Sequence, residues 1–234
     1  MKNIQSIILA RGGSKGIPGK NIIDFCGKPL IVWTIEQLQE TEGIGSIWVS
    51  SDSEEILFIS QGAGAEIIKR PSEISGDTAS SEAGWIHALD IIEKKTGSVD
   101  IVVAPQVTSP LRESKDIENG LKNFHKQECD SMFSCCKSGD LYLWRISSSG
   151  VPESINYDYK NRKRRQELNE EYIENGSFYL FKPEIIRKNK NRFGGKIGMV
   201  EMEFWKMFEI DTTEDLKICE VLMKAFLLNE RDRG

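Results

Sequence analysis

Residues 7–21 read Ile7-Ile8-Leu9-Ala10-Arg11-Gly12-Gly13-Ser14-Lys15-Gly16-Ile17-Pro18-Gly19-Lys20-Asn21. A short apolar run that ends at once in a glycine-rich turn reads as a strand buried on both faces and feeding a parallel sheet. The turn carries four glycines and the cations Arg11, Lys15 and Lys20. Glycines let backbone N–H groups approach an anion closely, and guanidinium and ammonium groups neutralise phosphate oxygens. By its chemistry the segment is a triphosphate cradle. It is not a Walker A loop, because Ser14 stands where the first glycine belongs and Asn21 follows Lys20. Nor does it have the G-x-G-x-x-G order of a dinucleotide fold.

Outward from this turn, strand and helix signals alternate. Ile31, Ile35 and Leu38 recur at helical spacing, and Ile47-Trp48-Val49 reads as a second strand. Asp52 and Glu55 stand in capping-box register before a helix carrying Ile56, Leu57 and Ile59, followed by a short strand at Glu66-Ile67-Ile68. A polar stretch from Arg70 to Ser81 leads to a helix with Trp85, Leu89 and Ile92, and Val99 to Ala104 forms another buried strand. Phe178 to Phe181 and Met207 to Ile210 have strand character, and a closing helix runs from Thr213 to Phe226. The fold expected is α/β: a mainly parallel, Rossmann-like sheet flanked by helices, with ligands beyond the carboxyl ends of the strands. Residues 137–171 break the rhythm and read as a small inserted segment in a single domain spanning 1–234.

Bulk properties exclude several classes. With 36 acidic and 31 basic residues, the net charge of -5 argues against a protein that coats nucleic acid. The apolar run near the start is too short for a signal segment or membrane span, so a cytoplasmic protein is expected. Five cysteines with no C-x-x-C pair make neither a disulfide framework nor a zinc site. His87 and His125, the two histidines, read as structural or surface residues.

The segment Ala10 to Asn21 resembles the signature of the CMP-sialic acid synthetase family, the acylneuraminate or nonulosonate cytidylyltransferases. Further blocks match in the family's order: Arg70-Pro71 with Asp77 to Ser81, Gln106 to Arg112, Arg164-Arg165-Gln166, and Asn175 to Tyr179. Val107 departs from the proline usual in the second block. The resemblance implies a cytidylyltransferase that moves CMP from CTP to the anomeric hydroxyl of an acidic nine-carbon sugar, releasing pyrophosphate. It implies nucleotide contacts from Arg11, Gly12, Gly13, Ser14, Lys15, Lys20, Asn21, Arg70, Asp77 and Ser81. Sugar contacts fall to Gln106, Thr108, Ser109, Tyr179 and Phe193. Arg165, with Arg164 as second choice, is expected to reach a partner subunit's sugar carboxylate, so a homodimer is expected. Arg11, Lys20 and these two arginines carry the expected catalytic roles.

Attack of a sugar hydroxyl on an α-phosphate needs charge neutralisation, normally shared with Mg2+. Alternate residues of an extended segment face the same way, so Glu209 and Asp211 can hold one hard cation together. The family pair is two aspartates, which makes Asp211 the firmer ligand. A single displacement is expected, since no Ser-His-Asp or Cys-His set is recognisable. Two other readings stay open on sequence grounds: a nucleotidyltransferase for the eight-carbon acid of lipopolysaccharide or another sugar, and a non-catalytic nucleotide-binding module.

Overall fold

The computed structural model describes residues 2–14, 16–139, 141–164, 167 and 169–228. Strand β1 (Ile4–Leu9) runs into the glycine-rich turn, which is followed by the two-residue strands β2 (Asp24–Phe25) and β3 (Lys28–Pro29) and by helix α1 (Leu30–Gln39). Then come β4 (Ser46–Ser51), α2 (Glu54–Gly62), β5 (Glu66–Lys69), α3 (Ser81–Thr96), β6 (Ile101–Pro105), α4 (Ser114–Lys126) and β7 (Ser131–Lys137). A separate hairpin, β8 (Trp144–Ile146) and β9 (Pro152–Ser154), precedes β10 (Tyr172–Phe181), α5 (Pro183–Asn189), β11 (Ile197–Glu201) and α6 (Thr213–Leu222).

Seven strands form the main sheet in the order β11-β7-β10-β6-β1-β4-β5. Strands β4 and β6 pair parallel to β1, β5 pairs parallel to β4, and β11 parallel to β7; only β10 runs against its neighbours. Both faces are covered. Ile7, Trp48, Val102 and Ala104 pack under Trp85, Ala88, Leu89 and Ile92 of α3. Ile8, Val49 and Val103 belong to the opposite core with Leu30, Ile31 and Ile35 of α1 and Ile117 and Leu121 of α4. Fully burying each of the larger aliphatic side chains contributes roughly 1.5–3 kcal/mol, which is why the runs that form β1 and β6 read as continuously apolar. From β1 the chain steps outward to β4 and β5, whereas β6 lies on its other side. That reversal opens a crevice at the carboxyl ends of β1 and β6.

Two local expectations fail. Ser53, not Asp52, caps α2, its hydroxyl accepting from the Ile56 amide at 3.4 Å. Residues 207–210 form no strand: a 3-10 turn spans Phe204–Met207, and Ile210 is tied to the loop after β6 by its amide, which donates to the Thr108 carbonyl at 2.8 Å. The closing helix also changes character, widening to π geometry over Met223–Leu228. No helix among the described residues is long and apolar enough to cross a membrane.

Candidate active site

A cleft of about 390 Å³ opens at the carboxyl edge of the sheet. The turn after β1 supplies Arg11, Ser14, Lys20 and Asn21; the segment from β5 to α3 supplies Arg70, Asp77 and Ser81. Gln106 and Thr108 enter after β6, and Glu209 and Asp211 come from the approach to α6. Residues some 200 positions apart in sequence thus line one cleft. The contact is direct: Lys20 Nζ lies 2.8 Å from Asp211 Oδ1. A Cβ added at Gly16 would sit 2.2 Å from the Asp211 carbonyl oxygen, so the turn fits against this segment only without a side chain there.

The turn is pinned from below. The Asp52 carboxylate accepts the Gly12 amide at 2.9 Å and lies 4.0 Å from Arg70 NH2. Asn21 Nδ2 donates to the Arg11 carbonyl at 2.9 Å, while the Arg11 guanidinium reaches Asp77 at 2.7 Å. Arg70 is buried with its Nε on the Ser75 hydroxyl at 3.0 Å. Burial pulls its pKa below the usual guanidinium range, Asp52 opposing and Arg11 adding to that pull. Arg11 and Arg70 thus share two carboxylates, which gives each cation a partner before any anionic ligand arrives.

Opposite this cationic wall, Glu209 is pushed up to about 7 by burial first and Asp211 second, with Lys20 pulling it back and Glu174 adding to the rise. Two neighbouring carboxylates are a fit for a dication, and the Lys20 ammonium already holds a positive charge against Asp211. Among the described residues no group of three or more acidic, His or Cys side chains converges. A cation at Glu209 and Asp211 would therefore complete its shell with ligand oxygens and water.

Gln106 is held in place rather than free: its Nε2 donates to the Gly176 carbonyl at 2.6 Å. Gly176 lies at φ +63 inside the β10 irregularity, and a Cβ there would fall 1.7 Å from Glu209 Oε1 and 2.7 Å from Gln106 Nε2. Beneath, Arg112 is fully buried with no carboxylate bonded to it among the described residues. Its NH1 donates to the carbonyls of Gln106, Ser109 and Ser177 at 3.1, 3.0 and 2.8 Å, and its NH2 to Thr34 Oγ1 at 2.8 Å. Burial draws its pKa down to about 9, Asp116 opposing. This guanidinium fixes the end of β6 against β10 and so sets where Gln106 and Thr108 stand.

Other expected site residues lie elsewhere. Ser109 is buried beneath the cleft. Tyr179 is 4% exposed, packs on Trp85, and donates its hydroxyl to Glu174 at 2.6 Å; burial first, and this bond second, raise its pKa. Phe193 packs against Phe133 and Tyr179. These three shape the wall from behind instead of facing the main cleft. Gly12 meets Asp52, and Gly13 has open space around it. Arg164 is exposed on the inserted segment and does not line the cleft of its own chain. Lys15 and Arg165 lie outside the described residues.

A mainly parallel sheet whose carboxyl edge carries a cationic, glycine-rich turn facing an acidic pair defines the α/β class that handles phosphorylated ligands at a topological switch point. Residues 6–232 match the family model described as Cytidylyltransferase, and the chain belongs to that family. It is 35% identical over 227 residues to N-acylneuraminate cytidylyltransferase A of Danio rerio, an alignment covering 96% of this chain and 52% of that protein. To the pseudaminic acid cytidylyltransferase of Campylobacter jejuni subsp. jejuni serotype O:23/36 (strain 81-176) it is 31% identical, covering 96% of this chain and 97% of the other. The chain spans about half the length of the Danio rerio and Oncorhynchus mykiss relatives it matches. In fold it is similar to a CMP:2-keto-3-deoxy-manno-octonic acid synthetase solved in complex with CTP, with a TM-score of 0.72 at 16% identity over 97% of this chain and 100% of that one.

Proposed function

We propose that the chain transfers CMP from CTP to the anomeric hydroxyl of a nonulosonic acid. In this reaction the hydroxyl oxygen bonds to the α-phosphorus, the bond to the β-phosphate oxygen breaks, the hydroxyl proton leaves to solvent or a base, and pyrophosphate departs. The observation that carries this reading is the meeting of Lys20 with Asp211 at 2.8 Å, which brings the cationic turn and the acidic pair to one cleft. Arg11 and Lys20 would neutralise the triphosphate, and the Asn21 and Ser81 side chains offer partners for the nucleoside. Glu209 and Asp211 would hold Mg2+, which supplies charge neutralisation at the triphosphate when bound.

The names of the curated relatives support an acceptor of the N-acylneuraminate or pseudaminic acid type. Exposed apolar side chains on the β8–β9 hairpin support a homodimer. All five cysteines are free, which supports a reducing, cytoplasmic setting. The test is pyrophosphate release from each of the four NTPs with Mg2+ and a panel of acidic nine- and eight-carbon sugars. Turnover is expected with CTP and a nine-carbon acid, and R11A is expected to lower kcat/KM by about 100-fold or more, the loss of one charge-stabilising donor pair. Turnover with another nucleotide but not CTP overturns the assignment.

A further inference from the structure

The segment that carries Glu209 and Asp211 belongs to no sheet: between β11 and α6 it is made of the 3-10 turn Phe204–Met207 and irregular chain. Its anchor is Lys206. The Lys206 side chain is 1% exposed, and its ammonium meets three carboxylates, Glu113 at 2.7 Å, Glu203 at 2.8 Å and Asp116 at 2.9 Å. Glu113 and Asp116 stand at the start of α4, where the Glu113 amide donates to Asp116 Oδ2 at 2.8 Å, so two of the acceptors are themselves fixed. Burial works against the ammonium, but the carboxylates, Asp116 first, outweigh it and raise the Lys206 pKa above the usual lysine range. A buried cation held in this way keeps one geometry, because leaving its partners uncompensated is costly.

The main chain of Lys206 is tied as well. Its carbonyl accepts Nδ2 of the buried Asn175 at 3.4 Å, while Asn175 Oδ1 accepts the Ser134 hydroxyl of β7 at 2.6 Å and the Ser177 amide at 3.2 Å. Asn175 and Ser177 flank Gly176, whose lack of a side chain makes room for Glu209. One residue therefore links α4, the irregularity of β10 under Glu209, and the segment that bears Glu209 three positions further on. The Glu209 carboxylate has no hydrogen bond of its own among the described residues, so its place is set by the backbone and packing. Lys206 does not line the cleft, and it can act on a ligand only through where it puts the acidic pair.

We propose that Lys206 is a positioning residue for the reaction: by clamping its segment to α4 and β10 it holds Glu209 and Asp211 in the arrangement that receives Mg2+. This rests on the proposed transfer and on Mg2+ at the acidic pair, and deepens that reading by naming what aligns the two carboxylates. Carboxylates that bind a metal depend on the groups that orient them, and losing one such group typically weakens metal binding about 10–100-fold.

The test uses Lys206→Met alone and combined with Asp116→Asn, which removes the most buried of the three negative charges while keeping an oxygen for the Glu113 amide. Folding is read from thermal melts, CTP affinity from calorimetry with and without Mg2+, and the Mg2+ requirement from pyrophosphate release. In these variants CTP affinity without Mg2+ is expected to stay within about threefold of the wild type, while half-maximal pyrophosphate release needs at least about 10-fold more Mg2+. Mg2+ at the wild type's half-saturating concentration should also tighten their CTP binding less than it does in the wild type. A merely structural role for Lys206 would lower the melting temperature and leave the Mg2+ requirement where it was. That result, or an equal loss of CTP affinity with and without Mg2+, overturns the proposal and leaves the transfer reaction standing. Should neither Met variant fold, Glu203→Gln decides, since it removes one anchor from a side chain that is 60% exposed. It is expected to need about threefold more Mg2+, and an unchanged requirement overturns the proposal. Wild-type turnover that needs no Mg2+ sinks the metal reading and this proposal together, whereas no turnover of any acceptor with CTP sinks the transfer itself.

Discussion

Glu209 shows how one side chain registers the whole site. Its carboxyl ordinarily titrates near 4.5, and burial together with Asp211 moves it up to about 7 in the folded chain. Between those two values the native protein holds a proton that the unfolded chain has released, so stability falls as pH rises through this window, and the full penalty stands above about 7. In metal-free protein, Glu209→Gln should therefore match the wild type near pH 4 and exceed it by about 1–3 kcal/mol near pH 8. Urea denaturation at the two pH values checks this. An equal difference at both would mean that the carboxylate is not under electrostatic pressure. The pair itself was legible in the sequence, because residues two apart on extended backbone share a side. Its neighbours were not. Asp52 stands forty residues from the Gly12 amide it accepts, and its spacing to Glu55 mimics a helix cap, so the local pattern pointed to the wrong partner. The setting of Arg192, on the loop after α5, carries no sequence signal either, since Glu82 and Trp85 reach it from α3 and Tyr179 from β10.

At the scale of elements, legibility follows local pattern. Strands β1, β4 and β6 lie between covered faces, so apolar runs announced them to within a few residues. Helix α4 was missed because its buried side rests on Ile117, Leu121 and Phe124 amid a sequence otherwise polar, with Gly120 facing Phe178 of β10. Met207 to Ile210 misled in the other direction, its apolar residues packing from a turn and loop instead of a strand. Strand β10 combines a clear apolar end with an irregularity no propensity reveals: Gly176 at φ +63, under both Glu209 and Gln106. Here Gly176→Ala meets two penalties. A non-glycine residue in the left-handed region costs roughly 1–2 kcal/mol, and the new methyl must displace Glu209, whose oxygen lies 1.7 Å from its position. The variant should lose about 1–3 kcal/mol of stability and raise the Mg2+ concentration needed for half-maximal pyrophosphate release at least tenfold, while CTP binding without metal changes little. Wild-type Mg2+ dependence in G176A would show that Glu209 takes no part in holding the ion.

At the scale of the whole molecule, the sheet and cleft form one body, but the β8–β9 hairpin does not share their core. Its two three-residue strands pair only with each other in the sheet order. Leu143, Trp144, Ile146, Val151 and Ile155 are all exposed, Ile146 at 68%, and among the described residues the aromatic contacts of Trp144 are with Tyr157 and Tyr159 of the same segment. A two-stranded hairpin is marginal alone in water, and an apolar cluster of this kind on a folded chain marks an interaction surface. Arg164 sits on the same segment, away from its own cleft. We propose that a second copy covers the hairpin and that Arg164 of one subunit serves the acceptor side of the other, which would link dimerisation to turnover. Trp144→Lys combined with Ile146→Lys places two charges on that surface without touching any residue that lines the main cleft. Light scattering should then show a monomer where the wild type is a dimer. CTP affinity by calorimetry should stay within about threefold, because the cationic turn and the carboxylates facing it come from one chain, while turnover of the sugar acid is expected to fall by about 100-fold or more. A wild-type protein that is monomeric at assay concentration, or a monomeric variant with full turnover, would separate the hairpin from the reaction and leave each cleft to work with its own chain's residues alone.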